Sequence, residues 1–210
     1  KQGQGQQLAS LGIVYDRLND YHKAIEYQGQ AFAIAEEIGD KRGKGNCLGN
    51  LGVAYNNLGD YSKAINYHEQ ALVIAKEIGD KNSEGHQLSS LGTSYGNLGD
   101  YRNAIKYHEQ ALVIAGEIGD KRGKGNCLGN LGVSYNYLGD YRKAIDYQEQ
   151  AMAIAEEIGN RHAKGDALGS LGITYNELGD QRKAIDYHEQ ALAIAKEVGD
   201  KHVQGICLGN

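Results

Sequence analysis

The amino-acid sequence predicts an all-α fold, a solenoid of antiparallel helix hairpins. The same pattern recurs every 40 residues without an insertion. Apolar residues inside each unit have helical spacing, and no alternating run indicates a strand. We expect a single array over residues 1–210. Its units are approximately 1–40, 41–80, 81–120, 121–160 and 161–200, with 201–210 as the start of a sixth.

Two dipeptides mark the repeat. Leu-Gly begins at Leu11, Leu51, Leu91, Leu131 and Leu171. Ala-Ile begins at Ala24, Ala64, Ala104, Ala144 and Ala184. Residues 41–53 and 121–133 are identical, which shows how closely the units resemble one another.

Apolar spacing indicates two helices in the unit 41–80. The first has a stripe three and four residues apart, which we expect to be buried: Leu48, Leu51, Tyr55 and Leu58. The second has the same spacing at Ala64, His68, Ala71, Ala75 and Ile78. Gly59 suits the left-handed end of a helix, and Asp60 suits the N-cap of the next. Gly79-Asp80 repeats this chemistry, so each unit is a helical hairpin.

Residue size predicts how these helices pack. Gly52, Ala64 and Ala71 leave room for close contact, whereas Tyr55 and Tyr67 are expected to fill the space between hairpins. A single hairpin cannot bury both faces of its first helix, so neighbouring hairpins must stack into a continuous core.

These residues resemble the tetratricopeptide repeat (TPR) family. The resemblance is carried by Leu48, Leu51-Gly52, Tyr55, Gly59-Asp60-Tyr61, Ala64-Ile65, Tyr67 and Ala71-Leu72. The usual TPR has about 34 residues and a closing proline, whereas these units have 40 residues and no proline. In this they are similar to the long TPRs of the Leu-Gly-Asn-repeat (Pins-type) adaptors and of kinesin light chains. The resemblance implies a right-handed superhelix, with the first helices on the concave wall, and an interaction scaffold as its function.

The face of the first helices opposite the buried stripe is the candidate binding surface. Its centre is β-branched in every unit, at Ile13, Val53, Thr93, Val133 and Ile173. One turn earlier the residues are small, at Ala9, Gly49, Ser89, Gly129 and Gly169. The candidate peptide-binding residues on this face are Asn46, Asn50, Val53, Asn56, Asn57, His86, Thr93, Asn97, Asn126, Asn130, Val133, Asn136, Tyr137, Ile173 and Asn176.

This pattern predicts a shallow channel with an aliphatic floor and amide walls. Asparagine has donors and an acceptor, so it can pair with the main chain of an extended peptide whatever its sequence. Five first helices ~10 Å apart would make a channel of ~50 Å, enough for ~15 extended residues. In the alternative interpretation, Val53 and its equivalents only wedge between first helices, and the asparagines are solvated surface.

Departures from the relatives limit the ligand class. Pins-type repeats commonly have Asn where this chain has Val53, Val133 and Ile173, and tend to have Arg at the positions of Asn46, His86, Asn126 and Asp166. Carboxylate-clamp TPRs need Lys and Arg on this face, where the chain has only Arg17. We therefore expect an apolar or mixed peptide or protein segment as partner, and not an acidic C-terminal tail.

Other classes of function are disfavoured. A net charge of −5 argues against nucleic acid as a partner, and no apolar run is long enough to span a membrane. His68, His108 and His188 share one position, but ~10 Å between neighbours is too far for one metal ion. Cys47, Cys127 and Cys207 recur every second unit, too far apart for disulfides, which favours the reducing cytoplasm. No nucleophile–base pair converges, so we expect neither an enzyme nor a cofactor.

Three roles remain open. The first is a scaffold that binds a peptide or protein segment in its concave groove. The second is a ligand-sensing, regulatory TPR array of a larger signalling NTPase or transcription regulator, an expectation that rests on the absence of polar terminal caps from residues 1–210. The third is self-association through those uncapped ends.

Overall fold

The computed structural model describes residues 1–199, apart from the side chain of Val198. This part of the chain contains ten helices and no strand, as predicted. They are α1 (Gln2–Arg17), α2 (Tyr21–Glu37), α3 (Lys41–Asn57), α4 (Tyr61–Glu77), α5 (Lys81–Asn97), α6 (Tyr101–Ile118), α7 (Lys121–Tyr137), α8 (Tyr141–Glu157), α9 (Arg161–Glu177) and α10 (Gln181–Val198). The predicted start of a sixth unit at 201–210 lies outside the described residues.

The helices form antiparallel hairpins in two compact units. In the first unit, Lys1–Gln110, α1 pairs with α2 and α3 with α4, and α2 and α4 also pack on the helix that follows them. The first helices α1, α3 and α5 also contact one another in sequence. In the second unit, which begins at Ala111, α7 pairs with α8 and α9 with α10, and both α7 and α8 contact α9. The α-solenoid of helix hairpins is therefore confirmed.

The turns have the predicted chemistry. Gly59 has a φ of +81°, a left-handed conformation that glycine adopts without steric cost. The Asp60 carboxylate accepts a hydrogen bond from the Lys63 backbone N–H at 3.2 Å. The Asp40 carboxylate does the same for Gly43 at 2.9 Å. Because each helix stops and restarts within three residues, the 40-residue period is kept.

A close approach of glycine to a buried polar side chain holds each hairpin together. A Cβ atom on Gly52 would lie 2.6 Å from the imidazole ring of His68, which is buried on the second helix. The same contact joins Gly12 to Gln28, Gly92 to His108, Gly132 to Gln148 and Gly172 to His188. A Cβ atom at any of these glycines would force the side chain opposite to shift.

The tyrosine and leucine predictions need correction. Tyr55 and Tyr67 do not simply fill the space between hairpins: their rings stack on each other within one hairpin, with centroids 5.3 Å apart. Leu48 and Leu51 are buried as expected, but Leu58 is 38% exposed. Leu58 lies at the C-cap of α3, at the end of the helix, whereas Leu48 and Leu51 lie in its interior.

Burial lowers the pKa of two histidines in the first unit, His68 and His108. His108 is almost wholly enclosed, and this burial lowers the pKa of its imidazole to about 4. Burial also lowers the pKa of His68, whose Nδ1 forms a hydrogen bond with Gln87 Oε1 at 2.9 Å. Both rings are therefore neutral packing groups at pH 7.

We predict that Gly52→Ala destabilises the fold. The new methyl group would push against the His68 ring, and overpacking of this kind costs about 1–3 kcal/mol. Gly29→Ala is the matched control, because Gly29 is exposed on α2 with nothing within 4 Å of a Cβ atom. Its replacement should stabilise the helix by up to about 1 kcal/mol. Urea unfolding measures both changes, and a stabilising Gly52→Ala would contradict the packing described.

We also predict that the fold weakens in acid because of His108. Its pKa in the folded protein lies below the usual 6.5, so the unfolded chain binds the proton first. The resulting loss of folding stability is absent above pH 6.5 and grows as the pH falls toward 4. At pH 5 it should reach about 2 kcal/mol.

Urea titrations at pH 7.5 and pH 5 test this dependence. Glutamine occupies the position of His108 in two other repeats, as Gln28 and Gln148. His108→Gln should therefore be tolerated and should reduce the loss of stability in acid. His22→Gln at an exposed position should leave it unchanged. An equal acid loss in wild type and His108→Gln would rule out this histidine as its source.

Candidate binding surface

The aliphatic row on the first helices is partly open to solvent. In the first unit, Ile13 is 40% exposed and Val53 is 39% exposed. In the second unit, Val133 is 40% and Ile173 is 38% exposed. Thr93 is exposed as well, and its hydroxyl donates to the Ser89 carbonyl of its own helix at 3.1 Å. The four aliphatic side chains are thus exposed to a similar fraction.

The polar residues predicted beside this row differ in exposure. The exposed ones are Asn46, Asn57, His86 and Asn97 in the first unit, and Asn126, Tyr137 and Asn176 in the second. The half-buried ones are Asn50 and Asn56 in the first unit, and Asn130 and Asn136 in the second. The structure therefore leaves an amide or imidazole accessible on α3, α5, α7 and α9.

Some of these amides are engaged with neighbouring first helices. Asn97 Nδ2 donates to Asn56 Oδ1 at 3.3 Å, which joins α5 to α3. Asn57 Nδ2 donates to Asp16 Oδ1 at 3.1 Å, which joins α3 to α1. Part of the hydrogen-bonding capacity of these exposed amides therefore connects adjacent hairpins.

A small cavity opens on the same face of the first unit. It has a volume of about 70 Å³ and is lined by Gly12, Ile13, Asp16, Ala24, Gln28, Asn50 and Val53. Asp16 and Gln28 were not among the predicted site residues. The sequence does contain a hint, since the position of Asp16 is occupied in the other units by Asn56, Gly96, Asn136 and Asn176. Asp16 is therefore the one carboxylate at this position.

A larger cavity of about 430 Å³ lies between α1, α2 and α3. Its lining includes Ile34, Ile38, Arg42, Asn46 and Cys47. The corresponding cavity one hairpin later has only about 10 Å³, where Gln87 takes the place of Cys47. The Gln87 side chain extends to His68, with Oε1 at 2.9 Å from the His68 Nδ1.

The His, Cys, Asp and Glu side chains are candidate metal ligands, and the cysteine thiols are candidate nucleophiles. Among residues 1–199, no group of three His, Cys, Asp or Glu side chains is arranged to hold a metal ion. Burial raises the pKa of the Cys47 thiol to about 11, so it stays protonated at pH 7 and is a poor nucleophile. Cys127 is likewise buried, and Cys207 lies outside the described residues. None of the described helices is both long enough and apolar enough to cross a membrane.

Solved structures with the same architecture come from several kinds of protein. BtubC (BKLC) from P. vanneervenii is 23% identical, with a TM-score of 0.82 over 94% of this chain and 82% of that chain. A signal transduction ATPase with numerous domains (STAND) from Pyrococcus horikoshii, which has a TPR sensor, is 24% identical, with a TM-score of 0.83 over 96% of this chain and 32% of that chain. The Rap conjugation gene regulator of plasmid pLS20, in complex with the Phr* peptide, is 18% identical, with a TM-score of 0.78 over 95% of this chain and 55% of that chain. At these identities the likeness shows the fold alone.

Sequence comparison identifies the repeat itself. No curated protein sequence matches the chain significantly. The profile of the tetratricopeptide repeat, however, matches residues 7–77, 87–157 and 134–197, which together cover most of the sequence. The hairpins, the glycine contacts and this match agree, and the chain belongs to the tetratricopeptide repeat family.

Proposed function

We propose that this chain is a non-catalytic scaffold that binds an extended peptide or protein segment on the exposed face of its first helices. The observation that carries this proposal is the aliphatic row, whose members Ile13, Val53, Val133 and Ile173 all have similar exposure. A repeated apolar strip with polar margins gives an extended chain both a surface to cover and groups to pair with.

The amides beside the row provide the polar part of the interaction. Each asparagine side chain has two donor hydrogens and an oxygen with two acceptor positions. Asn97 uses one donor for Asn56, so further donor and acceptor capacity remains for a ligand. Asn46 and Asn126 are exposed at matching positions of α3 and α7. These groups favour recognition of a peptide main chain.

The composition of the surface limits the partner. No Lys or Arg is present among the predicted site residues, although Arg42 and Arg122 are exposed one turn before Asn46 and Asn126. Positive charge therefore lies at the margin of the surface and not in the row itself. An apolar or mixed segment suits the surface better than an acidic tail does. The Rap regulator solved with the Phr* peptide provides a precedent for peptide binding on this fold.

A second candidate function is a ligand-sensing array within a larger signalling ATPase. It is favoured by the likeness to the STAND protein, in which TPRs form a sensor. Both candidates involve ligand binding by the repeats, but only the second requires an ATPase on the same polypeptide. An ATP-binding loop encoded in the same reading frame would favour it, and a full-length gene that encodes repeats alone would exclude it.

We predict that Val53→Asp and Val133→Asp each weaken peptide binding at least tenfold, because a carboxylate in the apolar strip must be desolvated when the peptide covers it. The measurement is fluorescence anisotropy with peptides selected from a random 12-residue display library against residues 1–210. Val73→Asp and Val113→Asp are the matched controls, since these valines are exposed on the second helices. The controls should bind as wild type does.

Two results would contradict the proposal. If Val53→Asp and Val133→Asp unfold the chain, as circular dichroism would show, their side chains belong to the core. If the library yields no binding peptide, the surface does not have the proposed role.

A further inference from the structure

The 430 Å³ cavity between α1, α2 and α3, which we call the Cys47 cavity, has the volume of a ligand pocket. Its inner wall includes the buried residues Ala31, Ala35 and Cys47. Ile34, which is half-buried, and Ile38, which is 39% exposed, extend this wall along α2. Polar and apolar atoms of the lining are both accessible to solvent, so a ligand can reach the aliphatic surface.

Exposed polar side chains of the lining mark the mouth of the Cys47 cavity. They are Gln2, Gln6 and Ser10 of α1, and Arg42 and Asn46 of α3. Glutamine and asparagine amides both donate and accept hydrogen bonds, so they can pair with the main chain of a peptide at the mouth. The cavity thus combines an aliphatic interior with an amide rim.

The Cys47 cavity continues the aliphatic row of the first helices. Ala9 lines the cavity and precedes Ile13 of the row by about one helical turn. Asn46 lines it as well, and the next turn of α3 carries Asn50, which lines the 70 Å³ cavity. A peptide that covers the row can therefore place one side chain in the Cys47 cavity without leaving this face.

The charges in the lining favour an uncharged occupant. The lining contains one carboxylate, Asp40, and one guanidinium, Arg42, so its formal charges cancel. The Asp40 carboxylate accepts a hydrogen bond from the Gly43 N–H as the N-cap of α3, and Arg42 Nη1 lies 3.4 Å from Asp80 Oδ2. A further charge brought against the aliphatic wall would lose its hydration without a free counter-charge.

We infer that the Cys47 cavity binds an aromatic side chain of the peptide in the proposed function. A ring makes more contacts with the aliphatic wall than a smaller apolar side chain, which would leave much of the volume empty. The Arg42 side chain is 69% exposed at the mouth, so its planar guanidinium can lie against the face of the ring. This inference rests on the proposed function and gives the peptide an anchor that fixes its position along the row.

The first test needs no peptide and uses N-acetyl-L-phenylalaninamide as the probe, with N-acetyl-L-leucinamide as the aliphatic control. NMR follows the δ1-methyl signals of Ile34 and Ile38, because a ring that lies against a methyl group shifts its signal upfield. The phenylalanine probe should produce a shift that saturates. The leucine probe should bind about fivefold more weakly, since it has no ring for Arg42 to contact.

The second test changes the space in the cavity at one position. Glutamine occupies this position on α5 as Gln87, which lines a cavity of only about 10 Å³, and alanine occupies it on α9 as Ala167. Both residues are therefore compatible with the repeat. Cys47→Gln should weaken binding of the phenylalanine probe about tenfold, the scale of overpacking an apolar site. Cys47→Ala should keep the affinity within about threefold, because a buried cysteine behaves as a small apolar residue.

The third test removes the guanidinium. Arg42→Gln should abolish most of the preference for the phenylalanine probe over the leucine probe. Arg122→Gln is the matched control, because it makes the same change at the corresponding position of the identical stretch 121–133. Arg122 belongs to the second unit and does not line the Cys47 cavity, so its replacement should leave the Ile34 response unchanged.

The outcomes separate this inference from the proposed function. Selected peptides that lack an aromatic residue, or tolerate its replacement by leucine, would overturn the anchor and leave the scaffold standing. If no peptide binds, the scaffold fails, and the NMR titration still decides on the cavity. Equal binding of the two probes would overturn the aromatic site, as would equal effects of Cys47→Gln and Cys47→Ala. If Cys47→Gln unfolds, Arg42→Gln decides, and an unchanged preference in that variant overturns the site.

Discussion

The architecture depends on one steric constraint, the contact between a glycine of each first helix and a large polar side chain of the second. At Gly52 there is no room for even a methyl group, because the His68 ring occupies that space. The two helices can therefore come close, and the polar side chain is sealed from water between them. Stacked tyrosines such as Tyr55 and Tyr67 then close the same hairpin. The same contact recurs in all five hairpins, so each first helix lies against its second helix in a similar way.

Much of the fold could be predicted from the sequence because its determinants are local. The Gly59-Asp60 pair predicts where one helix ends and the next begins. The structure agrees, with a left-handed Gly59 and Asp60 as the N-cap. Leu58 was assigned wrongly because helical spacing does not show where the helix ends, and Leu58 is the C-cap of α3. The tyrosine stacking was also missed, since Tyr55 and Tyr67 meet across two helices whose distance is set by glycine.

The binding surface was predictable only in outline. The recurrence of a β-branched residue every 40 positions predicts the row that contains Val53 and Val133, and both side chains are partly exposed. The hydrogen bond between Asn97 and Asn56 depends on the offset between adjacent first helices, which no pattern within one unit reveals. The Cys47 cavity is harder still to foresee, because residues of three helices line it.

Two of the buried polar side chains distinguish hairpins that are otherwise nearly identical in sequence. His68 is matched to Gln87 of the following hairpin, and Gln148 is matched to Thr174. Each partner belongs to the next repeat, so these hydrogen bonds depend on which repeat follows which. Gene recombination between the identical stretches 41–53 and 121–133 would delete two repeats and keep the period. It would also bring Ser134, with its hydroxyl, to the buried position of Ala54, which corresponds to that of Thr174. Contraction of the array would thus change the chemistry of its interior as well as its length.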